Sequence, residues 1–334
     1  MPASQPLRVA VTTTISHGGL ESLCPDPAHH WRGCEILLNP PRGTVCDYWI
    51  TWAGNRERDH MRVAPENTLF VAGEPPSKKI YPKAFYSQFH RVVSTHADDP
   101  HPRVTTSMPG LNWHAGLDRD TNSYTLGYRD LAALPCPAKS NCISVVCSDL
   151  TTTEGQRKRL AFLDRIKSAL GPAVIHYGRG FTPIPDKLKA ILPHRFHLVL
   201  ENSSSPDYWT EKLSDAYLGW AFPLYVGCPN LSDYFPQDGF TPINPDEPEA
   251  AIARIRQLLD QPADARETSA VAHCRDLILH DYNPFSRFAH WAKTFHQPDL
   301  PARACHTASH KAFRPFPKNW LHRLGTAFAS GCGE

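Results

Sequence analysis

Short apolar runs ending in small or polar residues recur through the first half of the chain. Leu7 to Thr12, Tyr48 to Thr51, Thr68 to Ala72 and Arg91 to Ser94 each have the length and continuity of a buried strand, and polar, turn-rich stretches separate them. From about Asp98 to Lys139 the pattern dissolves into Pro, His, Asp, Thr and Asn. That stretch reads as a long loop region and interdomain linker.

The second half alternates more regularly. Ile143 to Cys147 predicts a strand, and Thr151-x-x-Glu154 reads as a capping box opening a helix. That helix would bury Leu160, Leu163, Ile166 and Leu170 on one face. Strand Val174 to Tyr177 ends in Gly178-Arg179-Gly180, and strand Phe196 to Leu200 runs into Glu201-Asn202-Ser203. A helix follows from near Asp207, then strand Pro223 to Val226 and helices around 247–260 and 264–280. Alternation of this kind predicts parallel sheets covered by helices on both faces. Two successive α/β domains leave a cleft, and ligands of such sheets lie at the carboxyl ends of strands. The chemistry is therefore expected at residues 74–77, 148–149, 178–180 and 201–205.

Residues Tyr208 to Trp220 divide by helical geometry. Trp209, Leu213, Ala216, Tyr217 and Trp220 form an apolar stripe that must face inward, whereas Tyr208, Glu211, Lys212 and Asp215 fall on another face. A helix start carries unpaired N–H groups that favour anions, and Lys212 would add a full charge there.

Composition narrows the class. The 334 residues suffice for two domains, and 41% hydrophobic residues can fill both cores. A formal charge of +2 gives no global field toward nucleic acid, so no nucleic-acid partner is expected. The ten cysteines are spread widely, with no dense disulfide framework, and Cys142, Cys147 and Cys228 sit in or beside apolar runs. Residues Met1 to Gly19 lack the basic flank and apolar centre of a signal peptide, and no run reaches membrane-spanning length. A cytoplasmic location is the expectation.

Two metal signals are weak. Asp118-Arg119-Asp120 is a DxD triplet away from any convincing strand end, and Cys24, His29, His30 and Cys34 follow no usual zinc spacing. No metal site is expected. The tail Lys311 to Ala329 mixes aromatic and basic residues, suiting either a helix packed on the first domain or peripheral membrane contact.

The run from Phe196 to Pro229 carries the most specific signal. It reads Phe196-His-Leu-Val-Leu-Glu-Asn-Ser203, then Asp207-Tyr-Trp-Thr-Glu-Lys-Leu213, then Asp215-Ala-Tyr-Leu218 and Phe222-Pro-Leu-Tyr-Val-Gly-Cys-Pro229. This closely resembles the α-1,3/4-fucosyltransferase family, with weaker echoes from roughly 68 to 260, including Tyr177-Gly-Arg-Gly180 and Tyr234-Phe-Pro236. The resemblance implies a GT-B arrangement, two Rossmann-like α/β domains facing across a cleft, with the donor held by the second. On this basis residues 1–138 form the acceptor-side domain with linker, 139–290 the donor domain and 291–334 a tail. It also implies inverting, metal-independent transfer of fucose from GDP-fucose to an acceptor glycan, with no cofactor.

By the same resemblance Lys212 contacts the diphosphate, Glu211 holds ribose or fucose hydroxyls, and Asn202, Ser203 and Tyr208 line the pocket. Arg159-Leu-Ala-Phe-Leu-Asp164 matches a second basic segment, making Arg159 the other phosphate ligand. Thr68-Leu-Phe-Val-Ala-Gly-Glu74 matches the family's Gly-Glu context, which makes Glu74 the general base. Independently, Glu74 ends a hydrophobic strand before two prolines, where partial desolvation would raise its pKa toward a useful range. Tyr177 and Gly178 are further candidate site residues, and His96, just past a strand, is a candidate for touching the acceptor. Competing readings are the same fold with another nucleotide sugar, a non-catalytic carbohydrate-binding relative, and a nicotinamide-dependent oxidoreductase. The last lacks any Gly-x-Gly-x-x-Gly after a strand.

Overall fold

The computed structural model describes residues 5–54, 58–75, 77–152 and 154–315. The chain divides into two compact α/β units. One runs from the start of the chain to Ser16, from Asp26 to Pro109, and again from Phe285 onward; the other holds His17–Pro25 and Gly110–Pro284.

In the first unit, strands β1 (Leu7–Thr13), β2 (Cys34–Leu38), β3 (Tyr48–Trp52), β4 (Arg58–Val63), β5 (Thr68–Val71), β6 (Arg91–Ser94) and β7 (Val104–Thr106) follow in sequence. All except β4 join one sheet in the order β2-β1-β3-β5-β6-β7, paired in parallel, with His30–Trp31 antiparallel on the outer edge of β2. Strands β3 and β5 are buried along their whole lengths, as the continuous apolar runs require. Phe70 of β5 anchors an aromatic cluster with Tyr81, Phe85, Tyr86 and Phe89. Burying each such ring contributes about 1.5–3 kcal/mol.

The second unit contains β8 (Ser140–Val146), α1 (Glu154–Leu170), β9 (Val174–Tyr177), α2 (Lys187–Ile191), β10 (His194–Leu200), α3 (Glu211–Leu218), β11 (Phe222–Val226), α4 (Pro248–Asp260) and α5 (Ala265–His280). Its parallel sheet is ordered β9-β8-β10-β11, with Thr241–Pro242 at the far edge. The chain steps outward from β8 to β9 and then returns past β8 to β10. That reversal creates a topological switch point between β8 and β10. The chain then re-enters the first unit as α6 (Pro284–Phe295) and β12 (Arg303–Ala308), and β12 pairs antiparallel with β4.

Several details differ from the sequence expectation. The chain changes unit at 16/17, 25/26, 109/110 and 284/285, whereas the sequence expectation has boundaries at 138/139 and 290/291. The stretch expected as a linker is folded: Leu117–Asp118 pairs with Ser123–Tyr124, and the 128–133 helix buries Leu131. Residues 303–313, expected within a tail, form β12 and a short turn whose Phe313 packs against the Phe70 cluster. The tail from Phe316 to Ala329 lies outside the described residues. Thr151 and Glu154 form no capping box, because Glu154 is the first helical residue and its carboxylate pairs with Lys158 at 2.9 Å. Helix α1 buries Phe162, Leu163 and Ile166, leaving Leu160 and Leu170 half-buried. Among the described residues no helix is long and apolar enough to cross a membrane.

The centre of the second sheet holds a neutral histidine. His197 of β10 is buried and its Nδ1 lies 2.8 Å from Ser144 Oγ of β8. Burial, with help from Lys187, pushes its pKa down to about 3. In the unfolded chain the same group titrates near 6.5, so between those values the unfolded state binds more protons and stability rises with pH. Urea unfolding should show stability lost as pH falls from 7.5 to 5, by on the order of 2 kcal/mol from this one group. A His197→Gln variant should show a shallower loss, and an unchanged slope would remove His197 as its source.

Candidate active site

A cavity of about 570 Å³ opens in the second unit at the carboxyl ends of β10 and β11, the end of a parallel sheet where ligands bind. One wall is α1, which contributes Gly155, Lys158, Arg159, Phe162 and Arg165 at successive turns. The end of β10 supplies Leu200, Glu201, Asn202, Ser203 and Ser204, β11 supplies Val226 and Gly227, and the approach to α4 supplies Pro245, Asp246 and Pro248. The floor requires glycine at 227. A Cβ there would stand 2.6 Å from both Glu201 Cγ and the Tyr225 hydroxyl.

Arg159 and Asn202 meet in this wall, a guanidinium nitrogen of Arg159 donating to Asn202 Oδ1. Arg159 Nε is buried without a hydrogen-bond partner among the described residues. Its charge lowers the pKa of the Cys147 thiol, although burial of that thiol dominates and pushes it up. The arrangement leaves a fixed cation with unmet donor capacity beside an apolar surface of Phe162, Leu200 and Val226, a setting suited to an oxyanion.

Lys212 and Glu211 lie in a buried charge network next to the cavity and do not line it. Glu201 links the two. Its carboxylate side chain is fully buried and accepts from the Thr210 N–H at 2.9 Å, from the Thr210 hydroxyl, and from Lys212 Nζ at 3.2 Å. Lys212 Nζ also reaches Glu211 Oε1 at 3.2 Å. Glu211 lies 3.5 Å from Lys187, and Lys187 is 2.7 Å from the buried Asp215. Asp215 in turn accepts the backbone N–H groups of His114 and Ala115, both at 2.7 Å. His114 Nδ1 lies 4.0 Å from Glu211, and the His114 ring meets that of His17 edge to face.

Charges alternate along this chain of contacts, and their titration follows. Burial pushes the Glu201 carboxyl up, against the opposing pull of Lys212 and Thr210. Burial also acts on Glu211, but Lys212, Lys187 and His114 together hold it well below the ordinary carboxylate range. Lys212 loses by burial and gains more from its two carboxylates, so its ammonium is held above its usual range. Burial pushes His114 down to about 4, which keeps it neutral at pH 7.

The expected helix at 208–220 begins later than its periodicity suggests. Asp207 adopts a left-handed φ of 60°, so the helix cannot start there. Asn230 Nδ2 and the Tyr234 hydroxyl both donate to its carboxylate. Thr210 caps α3 by accepting from Lys212 N–H. Tyr208 therefore precedes the helix, buried and outside the cavity lining. Asp215, expected on a polar face, is fully buried with the apolar stripe. The anion at this helix start is the protein's own Glu201.

Other candidates scatter. The Tyr177 hydroxyl lies 3.2 Å from His194 Nε2, away from the cavity lining. Gly178, at φ 130°, passes so close to the Cys147 carbonyl that a Cβ would sit 2.3 Å from its oxygen. Tyr177 thus bonds to β10 and Gly178 packs against the residue that follows β8. In the first unit Glu74 is half-buried and ion-paired with Lys78 at 2.6 Å, and His96 donates its N–H to Ser94 Oγ. Asp118 uses its carboxylate to accept from the Asp120 and Thr121 N–H groups, a turn within an exposed loop. Among the described residues no three His, Cys, Asp or Glu side chains are placed to hold a metal ion. Sequence reasoning missed Lys187, His114 and Asp246. Lys187, at the start of α2, and His114, in a loop, are distant in sequence and join the network only through tertiary packing.

Residues 136–267 match the model of the C-terminal part of glycosyltransferase family 10, the fucosyltransferases. A 91-residue stretch is 36% identical to the Homo sapiens 4-galactosyl-N-acetylglucosaminide 3-alpha-L-fucosyltransferase FUT6, covering 25% of each chain. The Homo sapiens 3-galactosyl-N-acetylglucosaminide 4-alpha-L-fucosyltransferase FUT3 is likewise 36% identical over 91 residues. The match thus spans about a quarter of the length of these curated relatives. Among solved structures, an alpha1,3-fucosyltransferase with GDP-fucose is similar over 88% of this chain and 91% of its own, at 19% identity and a TM-score of 0.47. A glycosyltransferase from Rickettsia africae is similar over 89% of this chain, at 12% identity and a TM-score of 0.46. The segment that carries the cavity, Arg159 and the Glu201–Lys212 pair is thus the part of the chain that is similar to the C-terminal part of the family 10 fucosyltransferases.

Proposed function

We propose that this protein transfers fucose from GDP-fucose to a hydroxyl of an acceptor glycan, with inversion and without a metal. The observation that carries the reading is the cavity at the carboxyl ends of β10 and β11, walled by α1. It is lined by Lys158, Arg159 and Arg165 and lies within the family-matched residues. Its volume suits a nucleotide sugar.

The chemistry follows from charge. Breaking the bond between the sugar and a nucleoside diphosphate leaves negative charge on the departing phosphate. Arg159, held by Asn202, is the residue to stabilise it, and Lys158 and Arg165 raise the local positive potential. Glu211 and Lys212 act from the adjoining network, Glu211 as an acceptor for sugar hydroxyls. Glu74 removes the acceptor proton as the hydroxyl attacks the anomeric carbon from the face opposite the diphosphate. For that step the Lys78 ammonium must give up its place on the carboxylate.

Arg159 offers a cleaner test than Lys212. Removing Lys212 leaves the buried Glu201 unpaired, which costs about 3–5 kcal/mol and confounds any loss of binding. Arg159→Gln should weaken GDP binding by about 10- to 100-fold in calorimetric titration, the scale of a lost charged hydrogen bond, while the unfolding midpoint moves little. Unchanged GDP affinity would remove Arg159 from the donor site.

Glu74→Gln should lower kcat by about 10²–10⁴-fold and leave GDP affinity near wild type. Near-normal turnover in this variant would assign the base elsewhere. Transfer should also persist in excess chelator, since side chains meet the phosphate charge. Complete loss restored by a divalent cation would overturn the metal-independent mechanism.

A further inference from the structure

The cavity lining sorts into three chemical types. Lys158, Arg159 and Arg165 are cationic, Phe162, Leu200, Val226, Pro245 and Pro248 are apolar, and Glu201 and Asp246 are acidic. Glu201 is committed to Thr210 and Lys212. Asp246 is exposed and has no ion pair among the described residues. Lys158, whose charge feels Asp246, closes instead on Glu154 at 2.9 Å. Asp246 is thus the one uncommitted acid that a ligand in this cavity meets.

Its backbone is fixed. The Asp246 N–H donates to Asn244 Oδ1 at 3.1 Å, Pro245 precedes it, and Pro248 is the first residue of α4. A carboxylate set between two prolines of the apolar wall is presented to the uncharged part of a nucleotide, since phosphates would repel it. Resting on the reading that the donor is GDP-linked, we propose that Asp246 selects guanine among nucleobases. The base presents N1–H and an exocyclic N2–H side by side, and the two carboxylate oxygens accept both. Adenine offers an acceptor at N1 and gains nothing there. Hypoxanthine keeps the N1–H and lacks the amino group. Xanthine carries a carbonyl oxygen where guanine has the amino group, so it repels a carboxylate and suits an amide, which can donate.

The experiment is calorimetric titration of wild type and Asp246→Asn with GDP, IDP, XDP, ADP and UDP. Wild type should prefer GDP over IDP by roughly ten-fold, the scale of one hydrogen bond to a charged group. Asp246→Asn should bind GDP about 10- to 100-fold more weakly and XDP more tightly than wild type does. The gain for XDP cannot come from a damaged fold. If GDP and IDP weaken equally and XDP does not improve, Asp246 acts on ribose or on charge alone and the assignment is overturned. Wild type with no preference for GDP over ADP and UDP overturns the GDP-linked reading itself, and the base assignment falls with it.

Discussion

Everything near the cavity is organised around one buried carboxylate, that of Glu201. It ends β10 in the middle of the second sheet, with a fully buried side chain that water cannot reach. An isolated carboxylate there would be prohibitively costly, and the protein meets that cost with the Thr210 N–H, the Thr210 hydroxyl and Lys212. These contacts fix where α3 begins, because Thr210 is its N-cap. They also fix where Asn202 and Ser203 leave the sheet, and so the floor of the cavity. Gly227 is glycine because Glu201 occupies the space its side chain would take.

The network extends the same logic. Glu201, Lys212, Glu211, Lys187 and Asp215 alternate in sign, so each inner charge has two opposite neighbours. Asp215 draws the 114–115 backbone onto α3 through two short hydrogen bonds, tying a loop that precedes the sheet to the helix behind the site. The network carries three acids and two bases with His114 neutral. It therefore presents no excess positive charge to an anion, and the cations on the cavity side are those of α1. On the reading proposed above, this is why Arg159, which lines the cavity, is assigned to the phosphate ahead of Lys212, which does not line it.

Much of this was legible in the sequence, and the boundary has a physical cause. Strands β3 and β5 were visible because their runs are buried along their whole length, and β1, β6, β9 and β11 because short apolar runs mark them even where burial is partial. Strand β4 was missed because it alternates more and less buried residues, Arg58, His60 and Arg62 being the polar half, and its strand partner β12 lies far along the chain. The start of α3 was misplaced because periodicity carries no record of a left-handed residue such as Asp207. Asn202 and Ser203 stand just past a strand, where the pattern expects chemistry, and Arg159 was marked only by the family resemblance of its segment; all three line the cavity. Lys187 and His114 were not, since nothing local marks a lysine or histidine as the partner of a carboxylate on another helix.

The placement of Lys212 shows how a residue near a ligand site can act through the backbone and not through contact. Its ammonium lies between two carboxylates, one of which cannot be solvated. An anion competing for Lys212 must replace Glu201 as its partner, and Glu201 would then be left with only Thr210. The exchange is unfavourable unless the newcomer is itself doubly charged or a proton reaches Glu201, whose carboxyl burial already pushes up. A diphosphate meets the first condition and a neutral sugar meets neither. On the proposed reading, the buried pair that holds the cavity floor would therefore discriminate by charge, admitting hydroxyl-bearing groups beside Glu211 and releasing Lys212 only to a strong anion.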